Sequence, residues 1–265
     1  MFEFDDKFSY RMPAHFGGYE GCPQPSFCDD ISVLQACYTT DRHQLESLVP
    51  ADFELLEPKV FVTYTLSRGV DGLGGQDSNS IAVEVPVRFE GKKDTPLQGF
   101  FVLCVWEDRI TTILSGRDGG GIPKLGAHVS TIKKDQNGRS TSARFAGKTF
   151  LSVEFSEAQP ASQQQTDDIN RQNRRVNWFG WRYIPRLGEP GADLSTPTLF
   201  PKEYKFQSIL LGTAKVRWTP LTIEENPTQA HVILALAQLP AHQFLEASLS
   251  QGLSVMRYDE ARALS

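Results

Sequence analysis

Ser115-Gly116-Arg117-Asp118-Gly119-Gly120-Gly121-Ile122-Pro123-Lys124-Leu125-Gly126 is the stretch from which the rest of the chain reads outward. Three consecutive glycines carry no side chains to hold a regular element, so they mark a turn or a close approach of backbone. Pro123 fixes φ one residue ahead of Lys124. Residues 109–114 lead in and 127–133 lead out, and both read as strands from their β-branched content. Lys124 is thus expected on a constrained connection between two strands, where a side chain can be aimed. By residue type alone it reads as a solvated surface lysine.

Outward from that stretch the pattern is mainly β. Ile81, Val83, Val85, Val87 and Phe89 alternate with Ser80, Ala82, Glu84, Pro86 and Arg88, the period-2 signature of a strand. Pro86 within the run argues for an edge or a bulge. Residues 31–38, 59–66, 99–106, 139–145, 149–155 and 177–184 read as further strands. Asp135-Gln136-Asn137-Gly138 is a hairpin turn, since Asn-Gly accepts positive φ. Asp41 caps a short helix running through Leu48, which Pro50 ends. Residues 156–176 form a polar connector with a short helix, and 185–199 a Pro/Gly loop. Two or three strands are expected between 204 and 239, and a final helix over 242–250. Residues 1–30 are expected as an irregular arm on one domain covering 1–265. The class is mainly β with few helices.

The 265 residues are 40% hydrophobic with 17 Phe, enough for a sizeable core. The net charge of −5 and the lack of a long Lys/Arg block argue against nucleic acid or an anionic membrane as partner. No apolar run of about 18 residues predicts a membrane helix, and the acidic start Met1-Phe2-Glu3-Phe4-Asp5-Asp6 does not read as a signal peptide. Cys22, Cys28, Cys37 and Cys104 lack C-x-x-C spacing and read as free thiols of a cytoplasmic protein. The five histidines are scattered, so neither a metal site nor any other cofactor is expected.

Gly116-Arg117, five residues, then Pro123-Lys124 resembles the lysine motif of the acetoacetate decarboxylase superfamily. The similarity extends through Met12-Pro13-Ala14-His15-Phe16-Gly17, Tyr38-Thr39-Thr40-Asp41, Val49-Pro50, Glu57-Pro58, Gly72-Leu73-Gly74, Pro86-Val87 and Ile184-Pro185. The resemblance implies a large antiparallel, cone-like β-barrel with an interior pocket. It also implies a homo-oligomer, and a lysine that forms a Schiff base with an oxo acid or ketone.

That chemistry needs a neutral amine, whereas an ordinary lysine of pKa about 10.4 is protonated at neutral pH. Desolvation or a neighbouring cation lowers such a value. The family's second lysine, directly after the nucleophile, is Leu125 here, which leaves burial as the expected cause. The family's two pocket glutamates align with Thr63 and Ser80. Glu84, on the strand face of Ser80, is the candidate replacement, its bland alternative being a solvated residue beside Arg88. The family's carboxylate-holding arginine falls near Ile31. Arg117, and less so Arg88, are the carboxylate-binding candidates because a guanidinium grips a carboxylate in bidentate fashion. Trp178 and Trp181 read as packing residues. These departures point away from acetoacetate itself and toward decarboxylation, aldol-type or dehydration chemistry on another small oxo acid or ketone, as in secondary metabolism. A cyclase, isomerase or dehydratase working without an imine, and a non-catalytic small-molecule-binding protein, are the alternative readings.

Overall fold

A computed structural model describes residues 2–20, 24–136 and 138–265. Seven strands close into a ring. In order around it they are Ala192–Trp218, Val176–Pro185, Leu97–Glu107, Gln76–Phe89, Lys59–Val70, Ser26–Thr39 and Glu246–Met256, and the last pairs back onto the first. The pairing is antiparallel except between Leu97–Glu107 and Val176–Pro185, where Trp178 lies beside Phe100 in parallel register. The short strand Lys124–Gly126 also runs parallel to Leu97–Glu107.

The alternation in 80–90 is the spine of the core: Ile81, Val83, Val85, Val87 and Phe89 are all buried. Gln76–Phe89 is nonetheless a central strand. Pro86 fits because the ladder to Lys59–Val70 ends at Glu84 and that to Phe53–Leu55 begins at Val87. In that gap no neighbour asks for an N–H, and the Pro86 carbonyl accepts from Leu56 N–H at 3.0 Å. A bulge opposite Val83 and Glu84 leaves Leu103 without a partner in the register.

Several expectations are corrected. Residues 109–114 are not a strand but the first part of a helix, Ile110–Gly120. Ile110 and Leu114 are exposed, and the residues this helix buries are Gly116 and Gly120, so β propensity in 109–114 is overridden by how the glycine end packs. The glycines therefore end a helix instead of forming a turn between strands. Gly121 caps it at φ 66°, in the left-handed region that favours glycine. The expected 127–133 strand is broken: His128–Val129 forms one short strand, and Lys133 begins another, Lys133–Asp135. The expected loop 185–199 is cut short, because Ala192–Trp218 is one long strand. Its Pro197 and Pro201 lack N–H groups, but their carbonyls accept from Leu264 and Arg257.

Residues 219–239 are not further strands but turns and the helix Ala230–Ala237, whose Ala230, Ile233 and Leu236 are buried. That apolar run cannot be told from a buried strand by periodicity alone. The expected helix 242–250 is instead strand, split between Gln243–Phe244 and Glu246–Met256. Among its described residues the N-terminal arm is irregular apart from Phe8–Ser9, Tyr19–Glu20 and one 3-10 turn, and the Ser26–Thr39 strand already begins inside it.

Other readings hold. Asp41 accepts from Gln44 N–H at 2.8 Å and caps Arg42–Glu46. The polar connector contains the helix Gln163–Asn173, started by a Ser162/Gln165 capping box. The hairpin pairs Asp135 with Gly138, while Asn137 lies outside the described residues. Cys28, Cys37 and Cys104 are buried free thiols, with burial pushing Cys37 up to about 11; Cys22 lies outside the described residues.

Candidate active site

The glycine-rich stretch fixes Lys124 from two sides. Gly120 and Gly121 end their helix against the Val176–Pro185 and Ala192–Trp218 strands. The Gly121 carbonyl accepts from Trp181 N–H, and Thr198 Oγ1 donates to the Gly120 carbonyl at 2.7 Å. A Cβ on Gly121 would lie 2.7 Å from the Arg182 nitrogen, so a bare Cα is required there. The chain then turns through Pro123 into the Lys124–Gly126 strand. Gly116, one helical turn before Gly120, faces the Lys124 side chain; a Cβ on it would lie 2.7 Å from Lys124 Cε and 2.8 Å from Cδ. The Gly-Arg-x5-Pro-Lys spacing thus has a steric meaning, since the glycine leaves the channel in which the lysine lies.

Lys124 is mostly buried and is also paired with a carboxylate. Its side chain is 17% exposed, and Nζ lies 2.8 Å from Oε2 of Glu107, whose side chain is 4% exposed. Ser78 Oγ donates to the other oxygen of Glu107 at 2.6 Å. Across the sheet Lys124 is level with Val105, Ala82 and Thr63, so the four side chains leave the same face.

On that face, inside the ring, lies a cavity of about 330 Å³. Thr63, Glu84, Trp178, Lys202 and Tyr204 line one side of it, and Gln35, Glu246, Ser248 and Ser250 are also in its wall. The Gln163–Asn173 helix covers part of it. That helix is strapped down by Asn170, whose amide donates to the Phe206 carbonyl at 3.0 Å and accepts from Phe206 N–H at 2.7 Å. Those bonds serve backbone at a bulge between Phe206 and Ser208, where the ladder alone would leave them unmet.

Glu84 is buried, which overturns its reading as a solvated residue beside Arg88. Thr63 Oγ1 donates to its Oε2 at 3.2 Å, and Gln35 Nε2 lies 3.4 Å from the same hydroxyl. Burial pushes the Glu84 carboxyl up, against the opposing pull of Lys202, Thr63 and Trp178. Lys202 is 4% exposed, and its Nζ lies 2.8 Å from the centre of the Trp178 ring. Burial is the main cause of its fall to about 7; the Lys124 charge adds to it and the Glu84 charge opposes it. Burial and the Glu84 charge also raise Tyr204.

The remaining predicted residues are placed as follows. Thr63 and Glu84 meet at the cavity. Ser80, half-buried opposite Glu107 in the ladder, is not part of the cavity wall. Arg117, the carboxylate-binding candidate, is exposed, and its Nη1 donates to the Lys124 carbonyl at 3.0 Å. Arg88 pairs with Glu54 and Glu90, both at 2.7 Å. Ile31 is fully buried in an apolar cluster. Trp181 donates to Ser195 Oγ, but Trp178 is cavity wall as well as packing.

Sequence reasoning missed Glu107 and Lys202. The signal for Lys202 was available: Phe200, Lys202, Tyr204 and Phe206 alternate, which sets one lysine among aromatics on a single strand face. Glu107 has no such local signal, because only the strand register brings it to Lys124. Among the described residues no group of three or more His, Cys, Asp or Glu is arranged to hold a metal ion, and no helix is long and apolar enough to cross a membrane.

The family model for acetoacetate decarboxylase matches residues 11–254, a span that contains both lysines and both glutamates. The chain belongs to the acetoacetate decarboxylase family. Acetoacetate decarboxylase 3 of Mesorhizobium japonicum is 30% identical over 130 residues, covering 49% of this chain and 47% of that protein. Acetoacetate decarboxylase of Ralstonia nicotianae is 33% identical over 118 residues, 44% of each. The chain thus spans about half the length of the curated relatives it matches. The fold likeness is broader. The crystal structure of acetoacetate decarboxylase from Legionella pneumophila superposes with a TM-score of 0.76 at 17% identity, over 98% of this chain and 94% of that one. The enduracididine biosynthesis enzyme MppR complexed with pyruvate superposes with a TM-score of 0.64 at 12% identity, over 96% and 95%.

Proposed function

We propose that this member of the acetoacetate decarboxylase family is a lyase that captures a small oxo acid or ketone as a Schiff base on Lys124. The observation that carries the reading is the Lys124–Glu107 pair, an amine with a buried carboxylate 2.8 Å away. Glu107 is placed to take a proton from the lysine, which frees the nitrogen to attack a carbonyl carbon. The carbinolamine then loses water. The protonated imine draws electrons from the neighbouring bond, and loss of CO2, cleavage of a carbon–carbon bond, or loss of an α-proton followed by dehydration proceeds from it.

Further support comes from the motif's steric logic and from the pyruvate bound by MppR. Thr63 and Ser80 in place of the family glutamates, with Leu125 in place of its second lysine, favour a substrate other than acetoacetate. The same reading treats 1–265 as one such domain working as a homo-oligomer. The test is turnover of a panel of 2-oxo and 3-oxo acids and methyl ketones, by wild type and Lys124→Ala. Turnover that the substitution reduces by about 10³-fold or more is expected; an active Lys124→Ala protein overturns the assignment.

A further inference from the structure

Among the described residues Lys202 is the one lysine that lines the interior cavity, and the Lys124 chemistry gives it no task. Among the described residues no ion pair holds it, in contrast to Lys124, and its Nζ is set against the Trp178 ring. A buried lysine is costly to keep unless something uses it. Beside it stands Glu84, also buried, and held in place by the chain of contacts from Gln35 to Thr63 to the carboxyl group. Empty space of about 330 Å³ adjoins both, at the small end of the roughly 300–1,000 Å³ range of ligand pockets.

We propose that Lys202 is a second imine-forming amine, and that the cavity around it captures a small ketone or oxo acid independently of Lys124. The parts needed are all in the wall. Burial holds the amine toward its neutral, nucleophilic form and Glu84 toward its protonated, proton-donating form. The nitrogen lone pair forms the N–C bond, the carbonyl π pair moves to oxygen, and that oxygen takes the Glu84 proton. The nitrogen returns a proton to Glu84. The C–O bond then breaks, water leaves with the Glu84 proton, and a protonated imine remains opposite the Glu84 carboxylate. One amine, one carbonyl and one carboxylic acid give one iminium, one water and one carboxylate, so no further reactant is needed. The Trp178 face is suited to the resulting cation, and Lys124, fixed to Glu107, leaves this amine as the one facing the cavity.

The test is reductive trapping with pyruvate, and separately with acetone, using sodium cyanoborohydride on the full chain. Adducts are mapped by peptide mass spectrometry. Modification of Lys202 is expected in wild type and in Lys124→Met, at least tenfold above the exposed Lys215. Glu84→Gln is expected to slow it at least tenfold. Lys202 unmodified, or modified only to the level of Lys215, overturns the proposal. The Lys124 peptide is read separately: an adduct there alone supports the Lys124 assignment and removes this one, and an adduct on neither removes both.

Discussion

The Lys124 side chain lies along the bare Cα of Gly116, so close that a Cβ there would stand 2.7 Å from Cε and 3.3 Å from Nζ. Gly116 lies inside the Ile110–Gly120 helix, where alanine is intrinsically preferred by about 1 kcal/mol. Helix propensity and the lysine channel therefore pull in opposite directions. Gly116→Ala is expected to keep the melting temperature within a few degrees of wild type while cutting turnover by tenfold or more. Unchanged turnover would show that the channel does not position the lysine.

Glu107 is the buried partner of an amine that is itself mostly shielded. Glu107→Gln removes the proton acceptor and leaves Lys124 facing an amide, so both stability and rate are expected to fall. The stability loss is about 1–3 kcal/mol, discounted for the exposed part of the lysine. The loss in kcat/KM is expected at about 10²–10⁴-fold. Urea unfolding and steady-state kinetics check the two; a stable variant with full activity denies Glu107 its role.

The helix over the cavity is tied down by Asn170, beside Ile169 packed against the Ile31 cluster. Asn170 serves both the N–H and the carbonyl of Phe206, as a neighbouring strand would. Asn170→Ala is expected to lower stability by about 1–3 kcal/mol. It is also expected to raise hydrogen exchange across residues 163–173, with the ring strands unaffected. Exchange unchanged over that segment contradicts the strap.

How far these relationships are visible in the sequence depends on their range. The alternation of Ile81, Val83, Val85, Val87 and Phe89 is local, and it reads directly as a core strand. The motif around Lys124 is local too, and it singles out the segment whose lysine pairs with Glu107. Its glycines mislead, because Gly116 and Gly120 belong to a helix that ends by pressing on two strands far along the chain. The pairing of Lys124 with Glu107 exists only through parallel strand register, which no spacing encodes. The burial of Glu84 follows from closure of the ring. The strand 246–256 reads as a helix until its ladders to Ser26–Thr39 and Ala192–Trp218 are in place; tertiary pairing decides that segment.

Lys202 yields a pH signature. Burial holds its amine near 7 in the folded chain, against about 10.4 when unfolded. Between those values the unfolded state binds more protons, so this group makes stability rise with pH. Glu84, pushed up by burial, acts in the opposite sense as pH rises through its folded value, so the comparison is made in a Glu84→Gln background. There Lys202→Met is expected to be more stable than its parent near pH 7. The advantage shrinks toward pH 10, by at most about 1.4 kcal/mol per pH unit. Urea unfolding at three pH values reads it; a difference that does not vary with pH contradicts the desolvated amine.

The most direct test of the central claim is borohydride reduction of wild-type protein in the presence of pyruvate and other small oxo acids, with the modified residue located by peptide mass spectrometry. A reduced substrate adduct on Lys124, absent without substrate and absent from Lys124→Ala, is the predicted result. No adduct on Lys124 with any oxo acid or ketone that the protein turns over would contradict the account.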